Sequence, residues 1–140
     1  MTPAETAARA AGSAAAPADR VELRVPADPA YLTVLRTATA GLAARLDFTL
    51  DDIEDLRIAV DEACAMVLPQ AREHSDLTCA FDLDVTRLTV AVTAECDAPR
   101  PPDRDGFAWT VLSALTNHVS ADVDGDTLTV TLARGTADTP

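Results

Sequence analysis

Few of the chemically capable residues in this chain stand at spacings that would let them act together. Cys64, Cys79 and Cys96 form an odd set, with no CxxC pair and no His at ligand spacing, which argues against zinc. Cys64 falls in an apolar helical run and Cys79 in a strand-like run, so both read as small core residues. Every basic residue is Arg, and the absence of Lys removes both a phosphate-loop Lys and a Schiff-base Lys. With the Ala-rich composition it points to a GC-rich genome. The segment Leu56–Cys64 (LRIAVDEAC) places a carboxylate, Glu62, four residues before a thioether, Met66, and that spacing puts both on one face of a helix.

The composition limits what such a helix can serve. A chain of 140 residues fits one domain with a tail or two. Hydrophobic residues make up 48% but aromatic ones only 4%, so Ala, Val and Leu must fill the core. A net charge of −12 repels phosphate backbones and anionic lipid, which disfavours nucleic acid and membrane surfaces as partners. It would attract a basic protein, or simply keep the chain soluble. Met1–Arg20 has neither the basic start nor the apolar stretch of a signal peptide, and no apolar run reaches membrane-spanning length. A cytoplasmic location is expected.

The elements that must position these residues follow from periodicity. Residues 1–20 are Ala-, Gly-, Ser- and Pro-rich without large apolar side chains, and are expected to form a flexible tail, as are 135–140. The domain is expected over 21–134. Val21–Val25 alternates as a half-buried strand. A helix is expected from Ala30 to about Leu46, capped by Asp28, with Tyr31, Val34, Leu35, Ala38 and Leu42 at helical spacing. Thr49 caps the next helix, whose buried stripe is Leu50, Ile53, Leu56, Val60, Ala63, Cys64 and Val67, with Pro69 near its end. Leu77–Leu83 and Leu88–Val92 form a hairpin, and the Pro-rich Glu95–Asp105 is a loop. Phe107–Val119 reads as a helix with Phe107, Val111, Leu112 and Leu115 on one face. Val119–Val123 and Leu128–Leu132 then flank a turn at Asp124-Gly125-Asp126. This order predicts an α+β fold, a two-layer sandwich of a mostly antiparallel sheet covered on one face by about three helices.

That order, together with Leu56–Cys64, resembles the anti-sigma factors of the sporulation and stress-response type. These are small serine kinases related to the histidine-kinase, gyrase and Hsp90 ATPase domains. The resemblance covers about 21–134 and runs without gaps from the first strand through the second helix. It implies that Glu62 stands where the family places the base that activates a hydroxyl. It also implies that Met66 occupies the position of the Asn that holds magnesium on ATP. A thioether is a soft, weak acceptor, and magnesium demands hard oxygen ligands. The family's D-x-G-x-G motif falls on Ala94-Glu95-Cys96-Asp97-Ala98, where the Asp and both glycines are missing. Glu95 should point to the opposite side of the strand from Ala94. The G-x-G that opens the family's last long helix becomes Gly106-Phe107-Ala108, and the lid before it shrinks to a short Pro-rich loop.

Glu62 is thus a retained base or a solvated helix carboxylate. Gly106 reads best as a loop-to-helix junction glycine, and Phe107 and Trp109 as core or pocket-filling residues. The nucleotide site Glu62, Met66, Gly106 and Ala108 is expected to be degenerate, with no cofactor unless the chain still uses ATP and Mg. The family also holds its partners through an Arg on the first helix. That position falls on Arg36, with Tyr31, Thr33 and Ala40 beside it, and a planar guanidinium suits bidentate pairing with carboxylates. The resemblance therefore implies a homodimeric anti-sigma factor that sequesters an alternative sigma factor until a STAS-type anti-anti-sigma protein displaces it. The alternatives are an active ATP-dependent serine kinase acting on that protein, and a non-catalytic small α+β binding module.

Overall fold

The computed structural model describes residues 19–136. Almost all of the two expected tails lies outside them. Strand β1 (Asp19–Pro26) starts two residues before the expected domain edge, because Arg20 pairs across to Asp82 and its guanidinium contacts that carboxylate at 2.9 and 3.0 Å. A 3-10 turn at Pro29–Tyr31, capped by the Asp28 carboxylate, leads into helix α1 (Leu32–Arg45). Helix α2 (Leu50–Val67) opens with a reciprocal capping box between Thr49 and Asp52 and ends where Pro69 permits only a 3-10 turn, Leu68–Gln70. The hairpin β2 (Asp76–Leu83) and β3 (Arg87–Glu95) follows. Helix α3 (Phe107–Leu115) and a second hairpin, β4 (His118–Asp124) and β5 (Thr127–Gly135), complete the fold.

The five strands form one antiparallel sheet in the order β1-β2-β3-β5-β4. Alternation assigns its faces. Leu77, Cys79, Phe81, Leu88, Val90, Val92, Leu128, Val130 and Leu132 point inward and are essentially buried under the helices. The opposite face carries short side chains, chiefly Thr78, Thr89, Thr93, Thr129 and Thr131. Helix α2 lies centrally, packed on β3 and β5 and flanked by α1 and α3. Burying its stripe of Leu56, Ala59, Val60, Ala63, Cys64 and Val67 is the main apolar gain that fixes it there. The expected two-layer α+β architecture is the one formed.

Three expectations shift. Leu50, expected in the buried stripe of α2, is 83% exposed, and in the first turn it is Asp52 that faces inward, toward Arg134 on β5. On α1 the buried line is Leu35, Thr39 and Ala43, while Val34, and Tyr31 in the preceding 3-10 turn, remain exposed; Thr39 satisfies its hydroxyl on the Leu35 carbonyl at 2.7 Å. Helix α3 stops at Leu115 rather than Val119. From Asn117 the backbone pairs with β5: its N–H donates to Ala133, and its side-chain oxygen accepts from the Gly135 N–H at 2.7 Å.

Arg134 on β5 binds the layers together. Its guanidinium contacts Asp52 at 2.8 Å and Asp55 at 3.2 Å, and donates to the last helical carbonyl of α3, Leu115, at 2.6 Å. One cation therefore anchors the start of α2 and the end of α3 to the sheet.

Candidate functional site

The capping box fixes where α2 begins, and the helical repeat then sets Glu62 and Met66 one turn apart near its far end. Past that end, the chain is joined to the loop that follows β3. The Gln70 amide donates to the Arg100 carbonyl at 3.0 Å and accepts from the Arg100 N–H at 2.7 Å. Ala71 bridges Cys96, and the Arg72 N–H donates to the Glu95 carbonyl at 2.8 Å. The Arg72 guanidinium contacts Asp97 and Asp126, each at 2.8 Å, and reaches Glu95 at 3.5 Å. Residues 70–72 thus hold the loop and the β4–β5 turn in place.

Between this loop, the end of α2 and the start of α3 lies an open cleft of about 420 Å³. Met66, Pro101, Pro102, Phe107 and Ala108 give it apolar walls; Gln70, Arg100, Asp103 and Gly106 supply the polar part. The structure therefore brings together Met66, Gly106 and Ala108, three of the four expected cofactor-side residues. Glu62 is on the same helical face one turn back but does not line the cleft, and it makes no hydrogen bond or ion pair with any described residue.

Gly106 is the extended cap of α3, and no side chain caps that helix. A Cβ there would sit 3.2 Å from the Asp103 carbonyl and 3.3 Å from its carboxylate. The tight Asp103 turn, which accepts the Gly106 N–H at 3.1 Å, accounts for the glycine as a junction residue. Of the two readings of Phe107, the core one fails: it is 83% exposed at the lip of the cleft, while Trp109 and Leu112 take the buried positions on α3. A helix of only nine residues has one narrow buried line, and Phe107 precedes it. Arg104 stacks over the Trp109 ring at 4.7 Å from its centroid.

At the end of β3, Ala94 points into the core, 3% exposed, and Glu95 points to the other face as expected. The Glu95 carboxylate accepts from the Thr127 hydroxyl at 3.1 Å. Cys96 is fully buried, and Ala98 holds a left-handed φ of 51° that ordinarily favours glycine. The cysteines behave as core residues. Burial raises the Cys64 thiol far above its usual range and pushes Cys79 up to about 12, so neither is a thiolate near neutral pH.

The expected partner side lies on α1. Tyr31 and Thr33 are exposed, Ala40 is half-buried, and Arg36 is not a solitary surface cation. Its Nε donates to both oxygens of Asp61 on α2, at 2.8 and 3.0 Å, with both side chains 37% exposed. Asp61, like Gln70, Arg72 and Arg134, carries no local sequence signal, because each acts on a residue at least 19 positions away.

Comparison with known proteins now bears on this geometry. The histidine kinase-like ATPase domain family matches residues 25–133. The chain belongs to that family. Within it, the chain is similar to the serine-protein kinase RsbW of Bacillus subtilis (strain 168), 38% identical over 84 residues, covering 58% of this chain and 52% of that protein. It is similar also to the RsbW of Bacillus velezensis, 36% identical over 83 residues with 57% and 52% covered. The RsbW of Bacillus cereus (strain ATCC 10987) is 36% identical over 76 residues, with 53% and 48% covered. The chain spans about half the length of the curated relatives it matches. These similarities support the resemblance to the anti-sigma kinases read from Leu56–Cys64. Among the described residues, no helix is long and apolar enough to cross a membrane.

Proposed function

We propose that this chain is a cytoplasmic anti-sigma factor that works by partner switching with a degenerate nucleotide site. It sequesters an alternative sigma factor until a STAS-type anti-anti-sigma protein takes its place. One observation carries the reading: the family's two working regions have fared differently here. At the nucleotide end the donors do not suit magnesium ATP. Met66 offers a thioether where a hard oxygen is needed, and Ala94 presents no carboxylate for an adenine amino group. The one carboxylate on the cleft wall, Asp103, is engaged by the Asp105 N–H at 2.9 Å. At the partner end, Arg36 is held in place on an exposed helical face.

The charge balance supports the choice of protein partners over nucleic acid, since −12 repels phosphate backbones. Exposed Tyr31 just before α1, Val34 on α1 and Ile58 on α2, 41–45% accessible, support a homodimer through the helical layer. Light scattering at micromolar concentration tests that point; a pure monomer counts against it.

Isothermal titration with Mg-ATP tests the degenerate site, with no binding expected tighter than roughly millimolar, about 4 kcal/mol. Micromolar affinity would instead favour the second reading, an active serine kinase, for which Glu62 is the specific support: it keeps the base's place and makes no bond to any described residue. The partner reading is tested by purifying each alternative sigma factor of the native host and measuring its affinity for the chain. Binding by none of them leaves a non-catalytic α+β module.

A further inference from the structure

The contact between Arg36 and Asp61 is lopsided, and its asymmetry is informative. A guanidinium carries five N–H donors in a rigid plane. Here only Nε is used, forked between the two Asp61 oxygens at 2.8 and 3.0 Å. Nη1 and Nη2 make no hydrogen bond with any described residue, although the side chain is only 37% exposed. The edge formed by those two nitrogens is the one that pairs bidentately with an incoming carboxylate. Other basic side chains are engaged differently. Arg72 and Arg134 each spend two or more nitrogens on internal acceptors, and Arg57 pairs with Glu54 on its own helix.

We infer that Asp61 is a positioning residue for partner recognition: it holds Arg36 by Nε and thereby presents the Nη edge to a carboxylate of the bound protein. The inference rests on the reading of Arg36 as a partner contact and extends it to a second helix. Three features support it. Asp61 lies on α2, the most deeply packed helix, so it offers a fixed reference against which Arg36 is oriented. The contact closes without using the nitrogens a partner would need, so an incoming carboxylate does not have to displace Asp61. An arginine already held in one orientation loses less rotamer freedom when the complex forms.

The test uses the full chain with the host sigma factor that the wild type binds. Asp61→Ala should weaken that affinity about three- to tenfold by returning rotamer freedom to Arg36. Asp61→Asn, which keeps an acceptor for Nε, should stay within about twofold of wild type. In an Arg36→Ala background, Asp61→Ala should change affinity by less than about twofold, because nothing is left to position. In a nitrogen-15 NMR spectrum one Arg Nε–H signal should be lost in both Arg36→Ala and Asp61→Ala, while that of the buried Arg134 Nε–H persists.

The outcomes separate. If Arg36→Ala leaves affinity unchanged, or no host sigma factor binds the wild type, the partner reading fails and this inference fails with it. If Arg36→Ala weakens binding but Asp61→Ala leaves it unchanged or tightens it, the partner reading stands and the positioning role is overturned. An equal loss from Asp61→Ala in both backgrounds would show that Asp61 touches the partner itself, which also overturns it.

Discussion

Replacing Asp52 with Asn removes one charge from the contact that holds the two layers together. Asp52 is 7% exposed, and its carboxylate accepts from Arg134 at 2.8 Å while serving in the capping box of α2. Breaking a buried pair costs ~3–5 kcal/mol, chiefly through the charge left behind. Arg134 retains Asp55 at 3.2 Å and the Leu115 carbonyl at 2.6 Å, so its charge is not abandoned. The Arg134 Nε is already buried without a partner, so little slack remains for rearrangement. The net expectation for Asp52→Asn is a loss of about 2 kcal/mol, or a fall of about 8 °C in melting temperature.

The pH dependence has a definite sign. Hydrogen bonding from Arg134 holds the Asp52 carboxyl below the usual carboxylate range, against the opposing push of burial, and Thr49 adds to the lowering. A group whose folded pKa is depressed stabilises the fold above its unfolded pKa, about 3.9, and that contribution is lost as pH falls through the folded value. The gap between wild type and Asp52→Asn should therefore be full near neutrality and close progressively below about pH 4. Thermal melts followed by circular dichroism across that range test the reasoning. A variant melting within about 1 °C of wild type near pH 7, or a gap that persists at the acid end, would refute it.

Other expectations follow from single residues. Ala98→Gly should raise stability by about 1 kcal/mol, because φ of 51° strains a residue with a Cβ; Gly125→Ala, at φ of 61°, should lower it by a similar amount. A thiol reagent such as DTNB should find no fast-reacting cysteine in the native chain and three after denaturation, since Cys64, Cys79 and Cys96 are all buried. Phe107→Ala should leave the melting temperature nearly unchanged, while Leu112→Ala, at a fully buried position, should cost about 3 kcal/mol.

How much could be read before the structure depended on the range of the signal. Strict alternation locates the strands, and Thr49 locates the start of α2, because these patterns are local. Helix α3 ends earlier than its sequence suggests because a long-range pairing, Asn117 with Ala133 and Gly135, overrides helix-compatible residues after Leu115. Leu50 and Phe107 stand at the first positions of their helices, where periodicity alone does not tell which side chains meet the core. Met66, Gly106 and Ala108 line one cleft, and in the sequence only the family motifs link them, not any spacing rule. Its closure by Gln70 and Arg72, and the pairing of Arg36 with Asp61, depend on helices and loops meeting in space.

The strand order has a consequence for how the chain is made. Of the described strands β5 is the last to be synthesised, yet it lies between β3 and β4 and supplies Leu128, Val130 and Leu132, all fully buried. Until those residues leave the ribosome, β3 presents an open hydrogen-bonding edge and an uncovered apolar face. Arg134, which ties the start of α2 to the end of α3, emerges later still. Cooperative folding therefore waits for β5, and until it is in place the unfinished sheet is exposed to mispairing. A premature stop anywhere before Thr127 would remove the sheet's interior rather than trim its edge, leaving a product that chaperones and proteases would treat as unfolded.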